Sequence, residues 1–140
     1  MKVTIPLNIQ AEDFFVVIAD SVRQDLKADE TLTVEKGLTY EKKLPTALGS
    51  IYNAKVEITE YAPNTLYSVV YATSKSTVTT TYHVEESTEG ILIHYEEVET
   101  FVSKLETWNA KLMKHFYEKS RKKQLIKKMN GLSDYINSKK

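Results

Sequence analysis

The sequence predicts an α+β fold, in which one antiparallel sheet is preceded by a strand and a helix and followed by a long second helix. Two patterns carry that reading. Residues 33–101 alternate apolar and polar side chains with period two, interrupted by turn-forming clusters. Residues 11–28 and 103–129 instead repeat their apolar positions at steps of three and four. At 140 residues the chain is long enough to bury a core as a single domain, 1–140, without staples.

Each element has its own local signals. KVTIPLNI (2–9) places Val3, Ile5, Leu7 and Ile9 on one face, and Pro6 predicts that this strand has an unpaired edge. The helix at 11–28 opens with Glu12 and Asp13, which suit a helix N-terminus, and aligns Phe15, Ile18, Val22 and Leu26 with Phe14 alongside. The meander at 33–101 is divided by Pro45 to Gly49, Ala62-Pro63-Asn64, Ser74-Lys75-Ser76 and Ser87-Thr88-Glu89-Gly90, giving five strands. Gly37 falls inside the first of them and reads as a bulge or a close backbone approach.

The last helix begins at a capping box, Ser103-Lys104-Leu105-Glu106. Its apolar stripe runs through Leu105, Trp108, Leu112 and Phe116, lapses over 118–124, and resumes at Leu125, Ile126 and Met129. The whole stripe is expected to dock on the sheet. Asn130-Gly131 is expected to end or kink the helix, with an extra turn or two at 132–138.

The totals exclude several chemistries. There is no cysteine, hence no disulfide, thiolate metal site or cysteine nucleophile. No apolar run approaches the length needed to span a bilayer and none resembles a signal peptide, so a cytoplasmic protein is expected. The formal charge is zero but divided: residues 1–102 carry 8 Lys/Arg against 16 Asp/Glu, whereas residues 103–140 carry 11 against 3. An acidic body, with neither a recognition module nor an exposed aromatic platform, argues against nucleic acid.

The hairpin YHVEESTEGILIHYEE (82–97) fixes the faces of the sheet. With the turn at 87–90, residues whose numbers sum to 177 lie opposite one another. Tyr82 faces Tyr95, Val84 faces Ile93 and His83 faces His94. Carried through the turn around Lys75, the same rule sets Tyr67 against Tyr82 and Tyr71 against Val78. The apolar face must be the buried one, and a one-residue slip would exchange the faces. His83 and His94 then sit on the outer, polar face. Together they fall short of the three or four ligands that zinc needs, so no metal site is assigned. His115 reads as a surface residue.

Strand, helix, long meander and long C-terminal helix is the order of the helix-grip fold, in which a curved sheet wraps around the last helix. The chain also resembles a family of small bacterial proteins of unknown function in the START-like (SRPBCC) superfamily, which includes polyketide cyclases and pollen allergens. The likeness is carried by DFFVVIADSVRQDL (13–26), KGLTYEKKL (36–44), AKVEITEYAPNTLYSV (54–69), TYHVE (81–85), HYEE (94–97) and KSRKKQLIKKM (119–129). These motifs are structural and transfer no catalytic residue. The resemblance implies a cavity between sheet and last helix, suited to a hydrophobic or amphipathic small molecule; no cofactor is expected.

On that basis the candidate ligand-binding residues are Tyr40, Tyr67, Tyr71, Tyr82 and Tyr95 on the sheet, facing Trp108, Leu112 and Phe116 on the helix. Buried tyrosine hydroxyls want partners, although tyrosine is also simply a good strand residue. Strict alternation would turn Glu97 and Glu99 inward. A bulge near Glu96–Glu97 is expected to restore parity and point Val98 in; an inward Glu97 would instead be a candidate general acid or base. Lys119, Arg121, Lys122, Lys123, Lys127 and Lys128 form a basic cluster suited to an anionic surface or a protein partner. Three functions are thus open: ligand binding without catalysis, interaction through the basic helix, and a cyclase- or hydrolase-like enzyme.

Overall fold

The first strand, β1 (Lys2–Leu7), leads directly into helix α1 (Ala11–Leu26), in a computed structural model. It describes residues 1–45 and 51–140, apart from the side chains of Pro45, Ala110, Leu112, His115, Phe116 and Tyr117. The meander supplies β2 (Thr39–Pro45), β3 (Ile51–Ala62), β4 (Leu66–Ala72), β5 (Ser76–Ser87) and β6 (Gly90–Phe101), and α2 (Lys104–Ser138) closes the chain. The strands pair in the order β1-β6-β5-β4-β3-β2, every pair antiparallel. β1 is therefore an edge strand, where Pro6 costs no ladder bond.

The predicted register holds along β5 and β6. Ser87 pairs with Gly90, and the ladder continues through His83–His94 and Tyr82–Tyr95 to Ser76–Phe101 with no shift. Tyr67 pairs with Tyr82 and Tyr71 with Val78. Gly90 has φ +141, and a Cβ there would collide with the Leu7 carbonyl where the chain crosses from β1 to α1. Among the described residues this is the one tight crossing that needs glycine.

Three expectations are corrected. The first strand of the meander starts at Thr39 instead of 33. Gly37 precedes it in a turn at φ +93, and its N–H donates to the Ile58 carbonyl at 2.8 Å. The sheet's irregularity falls instead between Ile58 and Glu60, opposite β4. The Asn130-Gly131 pair neither ends nor breaks α2, which runs through it to Ser138; Met129, Ser133 and Ile136 are buried on one face across that point. Packing of three side chains outweighs the roughly 1 kcal/mol propensity cost of a helical glycine. Of the turn at Pro45 to Gly49, residues 46–49 lie outside the described residues.

One face of the sheet carries the core. Ile5, Leu7, Val56, Ile58, Val69, Val84, Ile91 and Ile93 from the strands meet Phe14, Phe15 and Val22 of α1 and Met129 and Ile136 of α2. The C-terminal end of α2 is also held by polar contacts to the β1–α1 corner. Asn137 Nδ2 donates to the Asn8 carbonyl at 3.1 Å, and Lys140 Nζ lies 2.6 Å from Asp13.

The other end of α2 departs from expectation. Ser103 caps it by accepting from the Glu106 N–H, yet Leu105 is 67% and Trp108 61% exposed. A 35-residue helix is about 52 Å long, whereas the 12-residue β6 spans about 40 Å. The contacts that anchor α2 lie at its C-terminal end, and these two residues near the other end are left uncovered.

Candidate functional site

Between α1, the tyrosine face of the sheet and the C-terminal half of α2 lies a pocket of about 420 Å3. Its floor is Tyr40 from β2, Tyr67 and Tyr71 from β4, and Tyr82 from β5. Successive turns of α1 supply one wall through Phe14, Val17, Ile18, Ser21, Val22 and Asp25. Lys128, Met129 and Leu132 of α2 supply the other, and Lys42 stands at the rim. Alternation along each strand puts the tyrosines on this face, and helical steps of three and four put Ile18, Val22 and Asp25 in line above them.

The aromatic rings are interlocked. Phe14, Phe15, Tyr61, Tyr67 and Tyr82 form a closed cycle with successive centroids 5.9–6.2 Å apart. Tyr82 also meets Tyr95 edge-on at 5.1 Å. Such spacings are favourable beyond the area they bury. The hydroxyls differ in what they bond. Tyr40 donates to Asp25 Oδ2 at 3.3 Å, and Tyr95 donates to Glu97 Oε1 at 2.8 Å. Among the described residues the hydroxyls of Tyr67, Tyr71 and Tyr82 have no protein partner, yet no polar side-chain atom is sealed off without one. Lining the pocket reconciles the two observations.

Burial raises the pKa of Tyr40, Tyr67, Tyr71, Tyr82 and Tyr95 above the ordinary phenol range. The negative charge of Asp25 reinforces this at Tyr40 and Tyr71, neighbouring tyrosines at Tyr67 and Tyr82, and the hydrogen bond to Glu97 at Tyr95. All five are therefore neutral near pH 7. They can donate and accept hydrogen bonds, but none is a phenolate nucleophile or base.

Four of the predicted residues, Tyr40, Tyr67, Tyr71 and Tyr82, thus share the pocket. Tyr95 stands behind Tyr82 and off the lining, bonded to Glu97. Trp108 is exposed near the N-terminal end of α2 and is not on the pocket lining, and the side chains of Leu112 and Phe116 lie outside the described residues. Asp25, Lys42 and the whole wall from α1 were not among the expected binding residues, and Lys128 was expected only as a member of the basic cluster. A signal existed for Asp25, a carboxylate in helical phase with Ile18 and Val22. Lys42 and Lys128 carried none, because only the fold brings them together.

The bulge expected near Glu96–Glu97 is absent, so Glu97 points inward and Val98 is 49% exposed. What the sequence could not supply is the compensation. Arg121 of α2 forms an ion pair with the largely buried Glu97 carboxylate, which also accepts the Tyr95 hydroxyl. A buried carboxylate is tolerated when paired and hydrogen-bonded. Arg121 therefore leaves the basic cluster. Around a helix Lys119, Lys123 and Lys127 share one side, whereas Arg121 and Lys128, seven residues apart and both exposed, share a flank beside the docked face, from which Arg121 reaches Glu97.

On the outer face His83 and His94 are directly opposed, with ring centroids 6.3 Å apart. His94 uses both nitrogens, Nε2 with Glu85 at 2.8 Å and Nδ1 with Thr4 Oγ1 at 3.2 Å. Among the described residues no three His, Asp or Glu side chains converge as metal ligands. The side chain of His115 lies outside the described residues. No described helix is long and apolar enough to cross a membrane.

Residues 1–118 match the family described as Domain of unknown function (DUF3284). The chain belongs to this family. No curated protein matches the sequence. Among solved structures, the DUF3284 chain is similar to protein MLL2253 from Mesorhizobium loti, with a TM-score of 0.60 at 11% identity over 96% of each chain. An uncharacterised protein from Rhizobium leguminosarum superposes with a TM-score of 0.57 at 15% identity, over 81% of this chain and 84% of that one. The Polyketide_cyc-like protein Cgl2372 from Corynebacterium glutamicum gives 0.51 at 16% identity, over 97% and 87%. At such identities the likeness establishes the fold alone. It is a helix-grip α+β fold, similar to that of a polyketide cyclase-like protein.

Proposed function

We propose that this chain binds a small amphipathic molecule, without catalysis, in the pocket between α1, the tyrosine face and the C-terminal half of α2. One observation carries the reading. Three tyrosines whose hydroxyls have no protein partner among the described residues line a pocket of about 420 Å3, which falls within the usual range for small-molecule sites. A mostly apolar wall with a few convergent polar atoms suits a ligand that is apolar along most of its length. The cyclase- or hydrolase-like alternative has less support, because Glu97 is bound to Arg121 and Tyr95 and does not line the pocket. Of the basic cluster, Lys119, Lys123 and Lys127 share the exposed side that would meet an anionic surface or protein partner.

Native mass spectrometry of the protein purified from its own host tests the binding role. The expected result is a stoichiometric adduct that disappears in Ser21→Trp, which fills the pocket from α1, while the circular dichroism spectrum stays unchanged. A protein that carries no adduct and takes up none on incubation with fatty acids or aromatic acids would sink the reading.

A further inference from the structure

Three charged side chains stand on the lining of the pocket: Asp25, Lys42 and Lys128. Their pairing is unequal. The Asp25 carboxylate already accepts the Lys42 ammonium at 3.1 Å and the Tyr40 hydroxyl at 3.3 Å. Lys128, on the opposite wall, forms no ion pair with any described carboxylate. The mouth therefore carries two ammonium groups against one carboxylate. Tyr67 and Tyr71 share this lining close enough to feel the Asp25 charge, and their hydroxyls remain protonated donors.

We infer that the bound molecule is an anionic amphiphile, its head group held between Lys42 and Lys128 and its apolar body lying against Phe14, Ile18, Met129 and Leu132. This rests on the binding role proposed above and names the class of ligand. A cationic head would meet two ammonium groups and a carboxylate that is already bonded. Lys128 is exposed and solvated, so an uncharged head would make no use of it, whereas an anion gains a charge-assisted hydrogen bond, the stronger kind. The site reads charge at the mouth and shape below it, so the head group matters more to selection than the tail.

Isothermal titration with three probes of identical tail separates the possibilities: octanoate, octan-1-ol and octylammonium. Octanoate is expected to bind about tenfold or more tightly than octan-1-ol, the scale of one charge-assisted hydrogen bond, with octylammonium weakest. Lys128→Gln should lower octanoate to the level of octan-1-ol without changing octan-1-ol, and Lys128→Glu should reverse the order of octanoate and octylammonium. Equal binding of octanoate and octan-1-ol would overturn the anionic assignment while leaving the binding role standing. A preference for octanoate that survives Lys128→Gln would remove Lys128 as the group that reads it. Failure of all three probes to bind would overturn the binding role and this inference together.

Discussion

Leu105 and Trp108 at one end of α2 are 67% and 61% exposed, whereas Met129 and Ile136 at the other are 4% and 7% exposed. Both pairs follow the same helical spacing and both are apolar. A stripe of apolar residues shows that a helix has a face, but not what covers it. Cover comes from elements distant in sequence. At the C-terminal end these are α1 and the β1–α1 corner, which hold α2 through Asn8 and Asp13. At the N-terminal end Leu105 and Trp108 stay exposed. The pocket lies only where the docked half faces the tyrosines.

The largest effect should come from breaking the docked half. Replacing Met129 or Ile136 by Ala removes a buried side chain from a packed interface, at an expected cost of about 2–4 kcal/mol in urea unfolding. Trp108→Ala, a larger truncation at the exposed end, should change stability by less than about 0.5 kcal/mol. Equal losses at the two ends would mean that both halves are docked in solution.

How much of this could be read beforehand depends on the range of the signal. The Ser87–Gly90 turn and period-two alternation are local, so the register from Tyr67 to Tyr95 and the identity of the inner face followed from them. Glu97 was misjudged because its ion-pair partner, Arg121, lies on another element. An unpaired buried carboxylate is costly, which made a bulge the cheaper assumption. The candidate site was half legible. Its floor of tyrosines belongs to the meander, but the wall from α1 and the charges at Asp25, Lys42 and Lys128 come together only through the tertiary fold.

A smaller effect sharpens the comparison from the side of the pocket. Burial holds the phenols of Tyr67 and Tyr95 above the ordinary range, whereas in the unfolded chain they ionise near about pH 10. A folded-state pKa above the unfolded one means that this contribution to stability is complete below about pH 10. It is lost as pH rises further, because the unfolded chain releases protons that the native state retains. Each such phenol should steepen the alkaline loss by up to about 1.4 kcal/mol per pH unit. Urea unfolding at successive alkaline pH values should show a shallower decline in Tyr67→Phe than in the parent. Identical declines would mean that Tyr67 is not held in its neutral form.

A small gain in stability tests whether the docked half is one continuous helix. Asn130-Gly131 has the sequence signature of a helix end, yet α2 passes through it with Met129, Ser133 and Ile136 buried on either side. Gly131 itself points away from that contact, and a Cβ built there meets nothing within 4 Å. Nothing in the packing therefore requires glycine, and what remains is its backbone cost relative to alanine, about 1 kcal/mol in a helix interior. Gly131→Ala should accordingly stabilise the protein by about 0.5–1 kcal/mol and raise Tm, with no change in ligand uptake. If the helix instead broke at Asn130 and residue 131 took a left-handed conformation, the same substitution would destabilise, because alanine disfavours that geometry. The sign of the change decides between a helix held through its weak point by tertiary packing and one that obeys its local sequence.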